Sequence, residues 1–418
     1  MNIGGIPGLR RQGSVPRHRA VAVAAAAAAL AVTAAGCGSS GSSSGASGSS
    51  GSSQITMGAL LDLSGQLASF GKDCELGLQL AADQVNGAGG FTVKGHKYTI
   101  KTVVKDGQSD PTTSVAATRT LMQQGVKFLF GPDTDATALQ VLGVLKNSDV
   151  LDFAGGAVDQ ELIGHPGYTN VFGVITPNPE WEGSLIPLLH ELNIDSGTVA
   201  ILYPDDTAGQ GVIPQFTQIL TSHGYKAKGY LFPPTTTDFR SVVARAKASH
   251  PVAILDGYSA EWGLPIAQAT VQLSAAKAVI GVDQTPEDVP LVIAKSSGGT
   301  FPLKWGSMAA DQQAADPTTP GAATYQKTWV KYLHQQPSAD VSQIAIWFYD
   351  AVLNVVAAME KAGTVTDTTA LANTIRSMTF QGAETVHYTA QNLPIHGTDI
   401  AELVGSKVKY TYVPAPSS

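Results

Sequence analysis

The chain has 418 residues, of which 43% are hydrophobic and 14% are charged, and its formal net charge is −7 at pH 7. A negative charge of this size disfavours a nucleic-acid-binding surface. The hydrophobic fraction is typical of a globular protein with an apolar interior, and the length favours two lobes over a single core.

The first 36 residues have the pattern of an export signal. A basic segment precedes the apolar stretch AVAVAAAAAALAVTAA, which has the length of a signal-peptide core and not of a membrane span. The stretch runs into the tetrapeptide AAGC, which resembles the bacterial lipobox, although Leu is usual where Ala34 stands. We therefore expect residues 1–36 to be a lipoprotein signal peptide and Cys37 to be lipidated. Ordinary cleavage near Ala35, which would leave Cys37 a plain thiol, is the alternative.

Residues 37–54 are predicted to form a flexible tether that follows the lipid anchor. They are almost entirely Gly and Ser, so they bury no apolar surface and remain a flexible coil. About sixteen such residues span roughly 20–24 Å, which separates a folded domain from a bilayer. The chain has only two cysteines, so lipidation of Cys37 would leave Cys74 without a disulfide partner.

From residue 55 onward, short apolar strands alternate with amphipathic helices. This alternation is typical of parallel sheets that are covered by helices on both faces. The predicted strands are 55–62, 98–104, 126–131, 150–155, 198–204, 226–232, 251–257 and 277–283. The predicted helices are Asp73–Asn86, Thr112–Gln124, Gly209–His223, Thr237–Ser249 and Glu261–Ser274.

Helical periodicity also assigns residues to the core. Cys74 shares one helical stripe with the apolar residues that follow it, which predicts a core position and not a redox site. A long amphipathic helix is predicted at 341–363, and two late strands are predicted at 384–390 and 406–413. The common face of the long helix is predicted to hold Ile344, Trp347, Ala351, Val355 and Ala358.

No motif supports catalysis, a metal site or a cofactor. The two cysteines cannot form a zinc cluster, and the sequence holds neither an HxxxH pair nor a G-x-S-x-G elbow. Gly65 and Gly71 are separated by five residues where a P-loop needs four. Asp133 and Asp135 lack the further ligands of a calcium loop. We therefore predict a protein that is not an enzyme.

Several short motifs follow one another in a defined order. They are Ser64-Gly65, Phe70-Gly71, Asn86 followed by Gly89-Gly90, Asp106 followed by Asp110-Pro111, and Gly131-Pro132. In this order and spacing they resemble the type I solute-binding proteins of bacterial ABC uptake systems. The branch that is most similar is the branched-chain amino acid/amide group, typified by the leucine-binding protein.

The resemblance implies an α/β fold of two Rossmann-like lobes, joined by a three-strand hinge, with a ligand cleft at the carboxyl ends of the strands. It implies that lobe 1 comprises 55–175 and 308–392 and that lobe 2 comprises 176–307 and 393–418. The chain is then expected to cross between the lobes near Gly173–Pro177, Trp305–Ala309 and Gln391–His396.

The function that the resemblance implies is capture of a small polar solute outside the cytoplasm. Such a protein delivers its solute to the permease and ATPase subunits of an ABC importer, and the lipid anchor would hold it on the extracytoplasmic face of the cell membrane. A ligand-sensing receptor for a membrane signalling partner is an alternative, and so is a binder of branched-chain amino acids.

The resemblance assigns the ligand contacts to Phe70, Asp135, Thr137, Gly156, Ala157, Val158, Tyr258 and Asp283. Asp135 and Val158 stand where amino-acid-binding members carry hydroxyls that bind the ligand carboxylate. An ionised Asp only accepts hydrogen bonds and Val has no polar group, so we expect a ligand other than a branched-chain α-amino acid. A shifted loop that places Thr134 or Thr137 in the hydroxyl position would restore amino-acid binding.

Overall fold

The computed structural model describes residues 52–65, 67–156, 163–175, 182–257, 260–282, 289–310, 320–334 and 343–413. These residues belong to one compact unit, Ser50–Ser418. The predicted signal peptide, Cys37 and most of the predicted tether lie outside the described residues.

The described strands and helices alternate along most of the chain. The strands are β1 (Ser53–Leu61), β2 (Phe91–Val93), β3 (His96–Asp106), β4 (Phe128–Phe130), β5 (Leu151–Ala154), β6 (Val171–Gly173), β7 (Thr198–Pro204), β8 (Lys226–Phe232), β9 (Ala253–Asp256), β10 (Ala278–Val282), β11 (Lys304–Ala310), β12 (Phe380–Gln381), β13 (Thr385–Tyr388), β14 (Pro394–Ile395), β15 (Thr398–Val404) and β16 (Lys407–Val413). The helices are α1 (Ala68–Gly87), α2 (Pro111–Gln123), α3 (Asp135–Leu145), α4 (Glu182–Glu191), α5 (Thr207–Ser222), α6 (Arg240–Lys247), α7 (Ala260–Leu273), α8 (Pro290–Ser296), α9 (Pro320–Leu333), α10 (Gln343–Ala362) and α11 (Thr368–Ser377).

Two large sheets organise two α/β lobes. The first has the strand order β2-β3-β1-β4-β5-β6, and its strands are parallel except for the β2–β3 hairpin. The second has the order β16-β15-β11-β10-β9-β7-β8, and it is parallel from β11 to β8. We call the first sheet, α1–α3, α9–α11 and the small sheet β12-β13-β14 lobe 1, and the second sheet with α4–α8 lobe 2. The α/β fold class of two lobes is confirmed, and the residue boundaries proposed for them stay a prediction.

Every strand and helix predicted from the sequence overlaps a described element. The elements that the sequence patterns did not predict are β2, β6, β11, β12, β14, β15, α3, α4, α8, α9 and α11. Several of the missed strands have only two or three residues, so they carry too little periodicity to be recognised and form only because a partner strand lies beside them.

The packing of α1 against α10 fixes the core of lobe 1. A Cβ atom added to Gly77 would lie 2.0 Å from the carbonyl oxygen of Ala345, so the two helix backbones meet where only glycine fits. Cys74 is fully buried in the same cluster, which confirms its predicted core position. At the end of α1, the Asn86 side chain exchanges two hydrogen bonds of 2.8 Å with the backbone of Ile100 and so ties the helix to β3.

The prediction that α10 buries one apolar face is wrong, because more than one face of the helix is buried. Trp347, Ala351, Val355 and Ala358 are buried as predicted, and the side chain of Ile344 lies outside the described residues. The other sides of the helix are buried as well, since α10 packs against α1, α11 and β2. The additional buried apolar residues are Ala345, Ile346, Phe348, Tyr349, Val352, Val356 and Met359. A helix that packs against neighbours on several sides needs apolar residues on more than one face.

A buried asparagine joins two of the segments that were predicted to cross between the lobes. Asn392 is fully buried with φ of +58°, and its carbonyl accepts a 2.9 Å hydrogen bond from the amide of Gly173. Its side-chain amide donates to the carbonyls of Thr169 and Val171 at 3.1 and 2.8 Å. Arg376 donates to the side-chain oxygen of Asn392 at 3.0 Å. The first and third crossings are therefore bound to each other where they leave lobe 1.

One buried carboxyl in lobe 1 provides a test of the packing. Asp152 on β5 is fully buried, and burial raises its pKa well above the usual value, although the backbone amide of Phe153 partly offsets this. Neither of its oxygens makes a well-formed hydrogen bond among the described residues. We expect Asp152→Val to raise the free energy of unfolding by about 1–3 kcal/mol, because it removes a buried polar group that lacks partners. Chemical denaturation measures the change. Asp152→Asn keeps a polar group there and serves as the control, and a loss of stability in Asp152→Val would contradict the prediction.

Candidate functional site

The carboxyl ends of the parallel strands define one loop-bearing edge in each lobe. In lobe 1, the edge is formed by the loops that follow β1, β3, β4 and β5, and in lobe 2 by those that follow β7, β9 and β10. Ligands of open parallel α/β sheets bind outside this edge. The lobes also contact each other, since Leu67 of lobe 1 packs against the core cluster of lobe 2 that contains Phe232 and Trp262.

The structure places part of the predicted contact set at the loop-bearing edge of lobe 1. Asp135 is the first residue of α3, although its side chain lies outside the described residues, and Thr137 is buried in the same helical turn. Gly156 follows β5 and donates its amide hydrogen to the carbonyl of Pro132 at 3.0 Å. Phe70 is half-buried in the first turn of α1 and packs against the core of lobe 1. Ala157, Val158, Tyr258 and Asp283 lie outside the described residues.

Two buried carboxyls join the loops after β1 and β4. The amide of Asp62 donates to Oδ2 of Asp133 at 3.0 Å, and both residues are almost completely buried. The carboxylate of Asp62 in turn accepts hydrogen bonds from the amide of Ser109 at 2.9 Å and from the hydroxyl of Thr134 at 3.0 Å. One acid therefore organises three of the loops at the edge of lobe 1.

A third carboxyl, Asp106 at the end of β3, holds the loop after β1 from its other side. It accepts hydrogen bonds from the amides of Leu63 and Gln108 at 3.0 and 2.8 Å, and from the hydroxyl of Ser64 at 2.6 Å. This explains why Ser64 and Asp106 occur together in the sequence motif. The adjacent Gly65 has φ of +90°, a backbone conformation that favours glycine.

Glycine at position 71 lets α1 begin against this network. A Cβ atom at Gly71 would lie 2.2 Å from the carbonyl oxygen of Asp62 and 2.9 Å from Oδ2 of Asp133. Any side chain there would push the first turn of α1, which carries Phe70, away from the edge. In the Phe70-Gly71 pair of the motif, Phe70 is the predicted contact residue. Gly71, which has no side chain, allows the turn that carries Phe70 to pack against the network.

The carboxyls of this network have opposite pKa shifts. Burial raises the pKa of Asp62, and burial together with the neighbouring charge of Asp62 raises the pKa of Asp133 well above its usual value. Burial also acts to raise the pKa of Asp106, but the hydrogen bonds from Ser64, Gln108 and Leu63 outweigh it and lower the pKa. The Asp62–Asp133 pair thus favours holding a proton, while Asp106 favours the carboxylate.

The sequence analysis did not predict the role of Asp62 or Asp133. It considered Asp133 only as a calcium ligand, and among the described residues no group of three or more His, Cys, Asp or Glu side chains could hold a metal ion. The sequence nevertheless indicated these acids by their positions. Asp62 directly follows β1, Asp106 ends β3, and Asp133 follows β4 after Gly131-Pro132. Acids at the ends of neighbouring parallel strands meet at one edge.

The family model described as periplasmic binding protein matches residues 54–407. The chain belongs to the periplasmic binding protein family. It is of the type I, leucine-binding class, whose members are solute-binding proteins and not enzymes.

Individual relatives of this periplasmic binding protein are distant. A Leu/Ile/Val-binding protein homologue of Brucella melitensis is 28% identical over 214 residues, which cover 51% of this chain and 56% of that protein. The aligned region therefore spans little more than half of the curated relative. The crystal structure of the leucine-binding protein LivK of Thermotoga maritima has a TM-score of 0.71 at 18% identity and covers 87% of this chain and 99% of that one. A solute-binding protein of R. palustris in complex with benzoate has a TM-score of 0.70 at 17% identity, covering 87% and 98%.

The pKa shifts predict how stability varies with pH. A carboxyl whose pKa is raised on folding binds its proton more tightly in the folded state, so folding is weakened as pH rises from about 4 through the folded pKa. Asp133→Asn keeps an oxygen that accepts the amide of Asp62 but removes this titration. We expect its unfolding temperature to fall less steeply than that of the wild type between pH 4 and 8.

Asp106→Asn is the matched control, because its lowered pKa has the opposite sign. Asp106 stabilises the fold above a pH of about 4, so its substitution should destabilise the protein at pH 7 and have a smaller effect at pH 3. The measurement is the unfolding temperature of the wild type, Asp133→Asn and Asp106→Asn between pH 3 and 8. Parallel pH profiles for the wild type and Asp133→Asn would contradict the assignment.

Proposed function

We propose that this periplasmic binding protein captures a small, donor-rich solute outside the cytoplasm and delivers it to an ABC importer. The observation that carries the proposal is the family match over residues 54–407, which spans both lobes and the loop-bearing edge of each. Closure of two such lobes over a solute presents it to a transporter without any chemical step. The transporter subunits are proposed as partners on the same ground.

The predicted contact set remains the proposed binding site. Phe70, Asp135, Thr137 and Gly156 belong to lobe 1, and Ala157 and Val158 follow Gly156 in the chain. Tyr258 comes two residues after the end of β9, and Asp283 comes directly after the end of β10, both in lobe 2. All eight positions therefore follow strand ends or lie in the first turn of a helix. In this proposal Phe70 and Tyr258 pack on the planar or apolar part of the solute, and Asp135 and Asp283 accept its N–H or O–H groups.

Electrostatics argue against a carboxylate beside Asp135. At about 4 Å and an effective dielectric constant of about 20, two like charges repel by roughly 4 kcal/mol, which weakens binding about a thousandfold. Amines, amides, polyols and nucleosides avoid this repulsion because they offer donors to Asp135. The proposed solute class is therefore defined by hydrogen-bond donors.

Branched-chain amino acids are the second candidate, because the curated relative is named a homologue of Leu/Ile/Val-binding proteins. That candidate needs a hydroxyl that donates to the α-carboxylate. The hydroxyl of Thr134 already donates to Asp62 at 3.0 Å, and Thr137 is only 1% exposed. These two observations weigh against the shifted loop that would restore amino-acid binding.

The solute class is tested by calorimetry with leucine, isoleucine and valine. We expect none of them to bind the wild-type protein with a Kd below about 1 μM, because Asp135 repels the α-carboxylate. Sub-micromolar binding of any one of them overturns the donor-rich proposal in favour of the second candidate. A thermal-shift screen with amides, polyamines, polyols, nucleosides and benzoate then identifies a ligand, since binding to the folded state raises its apparent stability.

Asp135→Ala separates the role of this residue from a general loss of binding. It should weaken a donor-rich ligand by at least about tenfold and leave the unfolding temperature nearly unchanged. Asp149→Ala replaces an exposed acid in the loop between α3 and β5; it is the matched control and should bind like the wild type.

We also propose that Cys37 carries a lipid that holds the protein on the extracytoplasmic face of the cell membrane. The support is the apolar stretch that ends in AAGC and the Gly/Ser tether that follows it. In the described part of the chain, no helix has the length and apolar character to cross a membrane.

Cys37→Ala tests the anchor directly. The variant should leave the membrane fraction and lose incorporation of labelled palmitate, because it lacks the thiol that is acylated. Ser39→Ala, two residues further along the same tether, should fractionate like the wild type. Equal membrane retention of Cys37→Ala and wild type would refute the anchor without bearing on solute binding.

A further inference from the structure

A leucine of lobe 1 packs against the core of lobe 2. Leu67 lies in the loop between β1 and α1, three residues before the proposed contact residue Phe70. Its half-buried side chain packs against a buried cluster of lobe 2 that is built from β7, β8, β9, α6 and α7. Within that cluster, the ring of Phe232 makes edge contacts with the rings of Phe239 and Trp262, with centroids 4.9 and 5.7 Å apart. An apolar side chain of one lobe therefore extends the core of the other.

The loop that carries Leu67 is fixed to lobe 1 through its backbone. The amide of Leu67 donates to the hydroxyl oxygen of Ser109 at 3.3 Å, and the amide of Ser109 donates to Asp62 at 2.9 Å. A Cβ atom at Gly65 would lie 2.5 Å from the carbonyl oxygen of Gln108, so the loop packs closely on the segment after β3. Leu67 precedes α1, but its side chain makes no capping hydrogen bond. These contacts position the residue and leave its side chain to pack against lobe 2.

The contact lies on the side of both sheets that is far from the crossings between the lobes. In lobe 1, the first crossing follows β6, and β1 is the third strand from it in the order β6-β5-β4-β1. In lobe 2, the second and third crossings meet β11 and β15, and β8 is the fourth strand from β11, at the opposite edge of the sheet. Since neighbouring strands are about 4.8 Å apart, these separations are about 14 Å and about 19 Å. The crossings and Leu67 thus connect the lobes at two well-separated places.

Rotation of the lobes about the crossings acts strongly on a contact at this distance. A rotation of about 10° moves residues about 15 Å from the axis by roughly 2.5 Å, whereas apolar contacts extend only to about 4.0–4.5 Å between heavy atoms. Any rotation that separates the loop-bearing edges on this side must therefore expose Leu67 and part of the cluster to water, which is unfavourable. The direction of the effect follows from the contact itself.

We propose that Leu67 is a latch between the lobes: its side chain stabilises the arrangement in which the loop-bearing edges meet, and its loss favours separated lobes. It is a positioning residue, since it acts on the lobes and lies beside the proposed contact set without belonging to it. A solute bound between the edges is released when they separate, so the latch would slow its release. That consequence rests on the proposed function, whereas the effect on lobe position does not.

Leu67→Ala removes the part of the side chain that reaches lobe 2. Half-burial of a leucine side chain changes a conformational ratio about fivefold, so the variant should lower the ratio of touching to separated lobes by about that factor. Because α3 of lobe 1 also lies beside α5 of lobe 2, the touching arrangement should be weakened and not abolished. Leu67→Met keeps an apolar side chain of similar volume and should retain the ratio of the wild type.

Spin labels on the two lobes measure this ratio without any solute. Ala116 on α2 and Ala244 on α6 are exposed and can be replaced by cysteine, in full-length protein that carries Cys37→Ser, while Cys74 is buried. Since α2 follows β3 and α6 follows β8, both labels lie on the side away from the crossings. The distance distribution should therefore shift toward a longer component in Leu67→Ala.

Leu273→Ala is the matched control. Leu273 is a half-buried leucine at the end of α7 that packs against the same cluster from within lobe 2. Its truncation should lower the unfolding temperature but leave the distance distribution unchanged, because the side chain does not join the lobes. A general loosening of the cluster is thereby distinguished from the loss of a contact between lobes.

Three results would overturn the proposal. They are a distribution in Leu67→Ala equal to that of the wild type, an equal shift in Leu273→Ala, and a shift in Leu67→Met as large as that in Leu67→Ala. Leu67→Ser, which shortens the side chain to the same extent, replaces Leu67→Ala if the latter does not fold, as judged by near-UV circular dichroism. Because no solute is present, failure of the proposed solute class would not alter these readings.

Discussion

The hydrogen bond from the amide of Asp62 to the carboxylate of Asp133 joins the loops after β1 and β4, the two central strands of the first sheet. Buried carboxyls are costly unless hydrogen bonds satisfy them. Here Ser109 supplies one of these bonds to Asp62 from the loop after β3, and Thr134, beside Asp133, supplies another. The bonds that satisfy the acids therefore also position the loops. The start of α1 depends on the same network, because Gly71 packs against it without a side chain.

The network also limits what the edge of lobe 1 offers to a ligand. Thr134 precedes α3, where a threonine side chain often caps the helix, but its hydroxyl makes no capping bond and donates to Asp62 instead. The first turn of α3 thus begins with Asp135 and without a side-chain cap from Thr134. The proposed donor-rich solute rests in part on this arrangement, in which the hydroxyl of Thr134 is already engaged within the protein.

A second network of hydrogen bonds lies beside β6, the outer strand of the first sheet. Asn392 and Arg376 bind the first and third crossings together, and Asn392 accepts a left-handed backbone conformation to do so. Beyond this attachment, only His396 and Gly397 separate β14 of lobe 1 from β15 of lobe 2.

What the sequence determined by itself is local. Alternating apolar strands and helices predicted the α/β class, since each element shows its buried face within a few residues. Motif residues whose partners lie nearby also follow from sequence, such as Asp110, which caps α2 through the amide of Thr113 just before Pro111. At the site, the motif singled out Ser64 and Asp106, and the family resemblance assigned Asp135 and Asp283 to the ligand contacts.

Only the tertiary structure decided which distant residues meet. Asp62 and Asp133 are 71 positions apart, and their pairing requires β1 and β4 to be neighbours in the sheet. The burial of α10 on nearly every side, and the contact of His396 with Trp347 and Glu384, likewise depend on segments that the chain brings together from afar. The periodicity of apolar residues along the sequence indicates which face of a helix or strand is buried, but it does not indicate which other element packs against that face. The partners are chosen by packing between elements, which no local pattern of residues encodes.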